Sequence, residues 1–276
     1  MGAFVLVHSP VTGPSTWRWV ASELAARGHE VAVPAVPPAA TALGWAGFVG
    51  AVGALAAGLR DPVVVGHSGA GPLLPRIAAR IRARAVVFVD ADIPPEAGAA
   101  GLVPDEFLEF LRGLASGGVL PPWSRWFGPD SMRELIPDDG MRAIVSAEMP
   151  ALPLSYFETR VPVPAGWTAV RCGYVLLSEA YTEQAAQAEA SGWRVVRLPG
   201  AHLDIVTRPA AVADAIVSVA EGPAAADGPG SGRLGELPRQ VSRSLDDGAA
   251  ELPAGVGAEP AHRAGHAQRR KQRRVP

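Results

Sequence analysis

The stretch Asp61-Pro62-Val63-Val64-Val65-Gly66-His67-Ser68-Gly69-Ala70-Gly71-Pro72 decides how the rest of the chain is read. A β-branched run ends in a glycine-rich turn, and a helical pattern begins at once. Small residues at Gly66 and Ala70 let strand and helix pack closely around a strained turn, which thrusts the Ser68 side chain into the open. The glycines supply backbone angles and close approaches that larger residues resist. Pro72 suits a first helical turn, where its missing N–H is not needed. Ser68 therefore reads as a nucleophile. The pattern is G-x-S-x-A rather than G-x-S-x-G, a mild departure because Ala is also small. A phosphate-cradling turn competes, but neither G-x-G-x-x-G nor a P-loop lysine is present. The plainest alternative is a turn serine with no chemistry.

Working outward, residues 1–220 alternate short apolar runs with longer helical patterns. The runs are Phe4–His8, Glu30–Pro34, Pro62–Gly66, Ala85–Asp90, Arg171–Leu177 and Trp193–Leu198. They lack strict alternation, as expected of strands buried on both faces. Helix-length segments lie between most of them: Thr16–Arg27, Trp45–Leu59, Pro72–Arg82, Tyr181–Ser191 and Pro209–Ala220. Alternating β and α units predict a mostly parallel sheet with helices on both faces. Residues 94–165 interrupt the alternation. They carry two helical patterns, heavy Gly and Pro punctuation, and the aromatics Trp123, Trp126, Phe127, Tyr156 and Phe157. The expectation is a helical cap, inserted before the penultimate strand, over the strand ends where such sheets place their ligand crevice.

A serine hydroxyl is a poor nucleophile until a neighbouring base takes its proton. In a sheet with this kind of elbow, the acid and then the histidine follow the serine in chain order. His202, in Leu198-Pro199-Gly200-Ala201-His202, follows the final strand and is the best placed of the six histidines. His8 and His67 end strands nearby and read as structural or polarity-tuning groups. A lone histidine is more often structural, but here a strand, a Pro-Gly turn and a following helix frame it. The acid is open between readings. Glu179 follows the penultimate strand and would hold the imidazole tautomer and stabilise the imidazolium. Asp92 is the alternative, and a site without an acid is the third outcome. Asp90 reads as a turn cap, and Asp204 lies too close in sequence to His202. For an oxyanion hole, two backbone N–H groups must point where negative charge develops; Gly69 and Ser9 are expected to supply them.

Composition bounds the class. The chain has 276 residues, 48% apolar and 19% charged, with a net charge of −2. That suits a globular core and gives no general attraction to nucleic acid or anionic membrane. The single cysteine, Cys172, excludes an internal disulfide framework and a multi-cysteine metal site. No basic n-region precedes Phe4-Val5-Leu6-Val7, and no apolar run is long enough to span a bilayer, so a soluble, cytoplasmic protein is expected. All seven Trp, seven Phe and three Tyr precede residue 221. Residues 221–276, rich in Gly, Ala, Pro and Arg, are expected to form a disordered tail beyond a 1–220 domain. Its end, Ala267-Gln268-Arg269-Arg270-Lys271-Gln272-Arg273-Arg274-Val275-Pro276, is basic enough to attract nucleic acid or acidic lipid, but a solvated tail is favoured.

With these residues assembled, the chain resembles the α/β-hydrolase superfamily over residues 1–220. The resemblance rests on FVLVHSP followed by GPSTWRW, on ARGHEVAVP, on the GHSGAG elbow and on LPGAHLD. Its opening looks like the methylesterase and hydroxynitrile lyase branch. The resemblance implies an α/β-hydrolase fold, no cofactor and no metal, a Ser-His-acid triad and a capped, largely apolar pocket. Two departures stand out. Ser9 follows His8 where most members have Gly, and the usual Asp position after the penultimate strand falls on Glu179, Ala180 or Tyr181.

The resulting expectation is a serine hydrolase that acts on a small or medium apolar carboxylic ester or thioester through an acyl-enzyme on Ser68. A cofactor-free lyase would use Ser68 and His202 as proton shuttles, with the Ser9 hydroxyl touching substrate. A non-enzymatic ligand-binding member gains weight only if the acid is missing. A small-molecule substrate is the expected partner.

Overall fold

The computed structural model describes residues 2–221. The expected tail thus lies, from residue 222 onward, outside the described residues. Strands β1 (Ala3–Val7), β2 (Glu30–Ala32), β3 (Val63–Ser68), β4 (Ala85–Ala91), β9 (Arg171–Leu176) and β10 (Arg194–Arg197) form one sheet in the order β10-β9-β4-β3-β1-β2. Every neighbouring pair in it is parallel.

Burial explains why the strand sequences read as continuous apolar runs. On β1, Phe4 and Leu6 pack into one apolar layer with Trp17 and Ile216, while Val5 and Val7 pack into the other with Phe48 and Leu74. Both faces are covered, so neither can be polar. The helices Arg18–Ala26 and Pro209–Glu221 cover the first face. Trp45–Leu55 and Leu74–Ile81 pack together on the second. The edge strands β2 and β10 are only partly covered.

Between β4 and β9 lies the insertion. It holds the helices Asp105–Leu114, Ser131–Leu135, Asp139–Ala147 and Leu154–Phe157. It is less purely helical than the pattern suggests: β5 (Gly98–Gly101) pairs antiparallel with β8 (Arg160–Val163), and β6 (Val119–Leu120) with β7 (Leu152–Pro153). These strands are too short and too rich in Gly, Ala and Pro to announce themselves by periodicity.

Candidate active site

Ser68 is the last residue of β3 and has φ of 55°, a left-handed conformation rare for any residue but Gly, Asn and Asp. The close packing that holds it there is visible at the neighbouring glycines. A Cβ at Gly66 would come within 2.5 Å of the Leu74 side chain, and one at Gly71 within 2.2 Å of the Asp92 carbonyl oxygen. The elbow expected from the sequence is thus present as geometry.

Opposite Ser68, β4 carries an irregularity of its own. His67 pairs with Val89 and Ser68 with Ala91, so Asp90 is an extra residue with no partner on β3. Asp90 also has positive φ, at 43°. A bulge of this kind re-aims a side chain out of the ladder. Tyr174 on β9 secures it, its hydroxyl accepting from Ala91 N–H at 3.0 Å and donating to Ala91 C=O at 2.9 Å.

The re-aimed Asp90 carboxylate is fully buried and completely engaged. Oδ1 accepts from the backbone N–H groups of Leu177 (2.6 Å) and Ser178 (3.1 Å), and Oδ2 from the Ser178 hydroxyl (2.5 Å) and His202 Nδ1 (3.0 Å). Burial by itself would raise the Asp90 pKa. The hydrogen bonds from His202, Ser178 and Leu177 outweigh it and hold the carboxyl below its ordinary value. An ionised Asp90 accepts the hydrogen bond from His202 Nδ1 and so orients the ring.

This corrects the expected acid. Glu179 is exposed, and the carboxylate against His202 is Asp90. The position after the penultimate strand is taken by Ser178 instead, which supports the acid by hydrogen bonding. Asp92, the alternative, accepts from Gln184 Nε2 at 2.9 Å, and burial raises its pKa against that bond and the nearby His202. Asp204 organises its own loop, accepting from Ala201 N–H, the Thr207 hydroxyl and Arg208.

His202 is held by its ring faces as well as by Asp90. Tyr181 stacks on it at 5.3 Å and 10°, and His67 lies at 4.4 Å with a 34° tilt. His67 Nε2–H donates to the His202 carbonyl at 2.9 Å. Burial, and then the neighbouring His202 charge, push the His67 pKa down to about 3, so His67 stays neutral and serves as a support. The structure thus joins His202 to Asp90 directly, with His67, the residue before Ser68, packed against the His202 ring.

The loop after β1 forms the adjoining wall. The Ser9 carbonyl accepts from Thr12 N–H (3.0 Å), the Thr12 hydroxyl (3.2 Å) and His8 Nδ1–H (2.8 Å), which immobilises the loop. The Ser9 hydroxyl is buried without a partner, as is His8 Nε2. A Cβ at Gly69 would stand 2.9 Å from Ser9 Oγ and 3.7 Å from Pro10 Cδ. Ser9 and Gly69 are thus adjacent, and the group nearest Gly69 is the Ser9 hydroxyl. Pro10 has no N–H to offer.

The insertion closes over this arrangement. Trp123 meets His202 edge-on at 6.3 Å and leads into Phe127, Phe107 and Phe110. Glu148, capping the helix Asp139–Ala147, accepts from Ser15 N–H at 2.8 Å and lies against Gly13, where a Cβ would come within 2.4 Å of it. The insertion is thereby fastened to the β1 loop.

A parallel sheet, a left-handed serine at its strand-to-helix elbow and an insertion between β4 and β9 define the class of α/β-hydrolase folds. The family comparison agrees: the model described as "Alpha/beta hydrolase family" matches residues 4–215, and the chain belongs to that family. No curated protein matches the chain significantly. Solved structures that share the fold include an extracellular α/β-hydrolase from a Paenibacillus species, described as homologous in structure and function to tobacco salicylic acid binding protein 2. It is 20% identical with a TM-score of 0.65, over 79% of this chain and 99% of that one. A pyrethroid hydrolase from Sphingobium faniae JZ-2 is 20% identical with a TM-score of 0.62, over 80% and 98%. Polyneuridine aldehyde esterase is 13% identical with a TM-score of 0.64, over 80% and 100%. Among the described residues, no helix is long and apolar enough to cross a membrane.

Proposed function

We propose that this chain is a serine hydrolase that cleaves a small or medium apolar carboxylic ester or thioester through an acyl-enzyme on Ser68. One observation carries the reading: the base His202 is oriented by the buried carboxylate of Asp90 at 3.0 Å, beside a serine held at the elbow. Ser68 Oγ attacks the carbonyl carbon while His202 Nε2 takes its proton. The imidazolium is stabilised by Asp90 and returns the proton to the departing alcohol or thiol. Water then attacks the acyl group by the same relay and releases the acid. Gly69 N–H supplies one donor to the oxyanion. The Ser9 hydroxyl supplies the second, since it is buried, unpartnered and directed at Gly69. The aromatic wall from Trp123 to Phe110 favours an apolar substrate. Similarity to an esterase and to a pyrethroid hydrolase supports the same bond type.

The test is a panel of short p-nitrophenyl esters and thioesters with wild type and Ser68→Ala. Loss of nearly all turnover in the variant is expected, and turnover that survives the substitution overturns the reading.

A second reading keeps the site and changes the reaction. The unpartnered Ser9 hydroxyl is also suited to hold a substrate hydroxyl, as a proton-shuttling lyase requires. A fluorophosphonate adduct on Ser68 together with ester turnover favours the hydrolase; turnover only of substrates without an acyl group favours the lyase. The receptor reading depended on a missing acid, and Asp90 removes that support.

A further inference from the structure

The loop after β1 repeats one small unit. Ser9-Pro10-Val11-Thr12 and Gly13-Pro14-Ser15-Thr16 follow each other directly, each with proline second and threonine fourth. In both, the threonine N–H and hydroxyl donate to the carbonyl of the first residue. The distances are 3.0 and 3.2 Å to the Ser9 oxygen, and 3.2 and 2.7 Å to the Gly13 oxygen. Thr12 and Thr16 are buried, and each proline fixes its own φ, so the tandem turns form one stiff strap.

Ser9 stands at one end of the strap, and the insertion holds the other. Glu148 Oε2 accepts from Ser15 N–H at 2.8 Å. Gly13 has φ of −128° and ψ of 177°, extended angles open to any residue, so its backbone does not call for glycine. Glu148 does: a Cβ on Gly13 would collide with the Glu148 Cβ and Oε2. The carboxylate is also placed from its own side, because the flanking Val145 and Met149 pack in the apolar layer that contains Trp17.

Within the Ser68 hydrolase reading, on which this step rests, we propose that Glu148 is a positioning residue that holds the Ser9 hydroxyl at the oxyanion through the two threonine-closed turns. The Ser9 hydroxyl is buried without a partner, and a Cβ at Gly69 would stand 2.9 Å from it. No hydrogen bond of its own fixes that oxygen, so the backbone that carries it sets its place. The Ser9 carbonyl ties that backbone to Thr12, and the second turn carries the restraint on to Glu148. An oxyanion donor acts only over a narrow range of distance, so slack in the strap is felt in the rate. In this role Glu148 exchanges no proton; its effect passes through Ser9.

Glu148→Ala is expected to lower kcat on p-nitrophenyl acetate about tenfold, with KM within about twofold of wild type. Glu148→Gln keeps an oxygen that accepts from Ser15 N–H and is expected to restore most of that loss. Gly13→Ala, which drives the carboxylate off Ser15 from the other side, is expected to match Glu148→Ala. The decisive measurement is the double-mutant cycle with Ser9→Ala. Once the hydroxyl is gone, Glu148→Ala is expected to cost nothing further. An equal fall in both backgrounds overturns the proposal, because it marks a general loosening of the fold. So does a Glu148→Ala enzyme with normal kcat. If Glu148→Ala does not fold, the cycle of Gly13→Ala with Ser9→Ala decides by the same outcomes. A wild-type enzyme without Ser68-dependent turnover overturns the hydrolase reading and this role with it. Normal Ser68-dependent turnover with a harmless Ser9→Ala removes the Glu148 role alone.

Discussion

Asp90 and His202 meet at 3.0 Å across 112 residues of sequence, and the contact exists because Asp90 is the one unmatched residue where β4 passes β3. The bulge and the hydrogen bond are one device. The first turns the carboxylate out of the ladder, and the second gives it a function.

Asp90→Asn is expected to lower kcat by about 10⁴-fold with little change in KM, because an amide cannot fix the histidine tautomer or balance the imidazolium. Glu179→Gln, at an exposed position, is expected to leave kcat unchanged. Steady-state kinetics of both variants on the same ester check the assignment. A normal Asp90→Asn enzyme would remove Asp90 from the mechanism.

Tyr174→Phe tests the lock on the bulge. The substitution leaves the buried Ala91 N–H without the oxygen that now accepts from it at 3.0 Å. Urea unfolding is expected to show a loss of about 1–3 kcal/mol. Activity is expected to fall as well, since Ala91 adjoins Asp90. A stability loss with full activity would show that the bulge holds Asp90 without Tyr174.

At Gly69, a methyl group would press on Ser9 Oγ at 2.9 Å. Gly69→Ala is expected to lower kcat/KM about 10²-fold, in the range for loss of one oxyanion donor. Ser9→Ala alone is expected to do the same by removing a donor outright. Adding it to Gly69→Ala relieves the clash without restoring the donor, so the double variant is expected to be no better than Ser9→Ala. Recovery to wild type would exclude the Ser9 hydroxyl as a donor.

Stability is expected to fall on acidification in two stages. The folded-state pKa of His67 is depressed to about 3. The unfolded chain therefore takes up a proton below about pH 6.5 that the folded chain refuses. Stability from this group is complete above that pH and declines as pH falls toward 3. Asp90, also depressed, adds a second decline that begins only near the ordinary carboxylate range. Urea midpoints measured from pH 7 to 5 are expected to drop in wild type and to drop less steeply in His67→Phe, where buried His8, whose pKa is also lowered by desolvation, keeps part of the slope. An equal slope in the variant would place the effect elsewhere.

Much of this site was legible in the sequence, and the failures have a common cause. The six sheet strands lie where local pattern put them, and Ser68 ends β3 with the left-handed backbone expected of the turn, because the glycine-rich turn and the two-faced burial of β1, β3, β4 and β9 leave direct marks on composition. The acid was misplaced because Asp90 reads as the polar end of an apolar strand. Its role depends on a register break between β3 and β4 and on Tyr174, a residue 84 positions later, and no window of sequence contains both. The Asp90 signal was a positive-φ-tolerant residue type at a strand end facing the elbow strand. Tyr181 was noticed only as a candidate position for a carboxylate. Its ring lies against His202, a contact that exists only once the loops are folded.

The Glu148 carboxylate, seated on the backbone N–H of Ser15, has a consequence for how this scaffold diversifies. The segment that carries the aromatic cluster grips the loop that carries Ser9, so neither is a free module. A foreign insertion grafted between β4 and β9 would have to bring its own anion to Ser15, or leave the β1 loop unbraced beside Ser9. The insertion and the loop after β1 are therefore constrained to vary together in this chain.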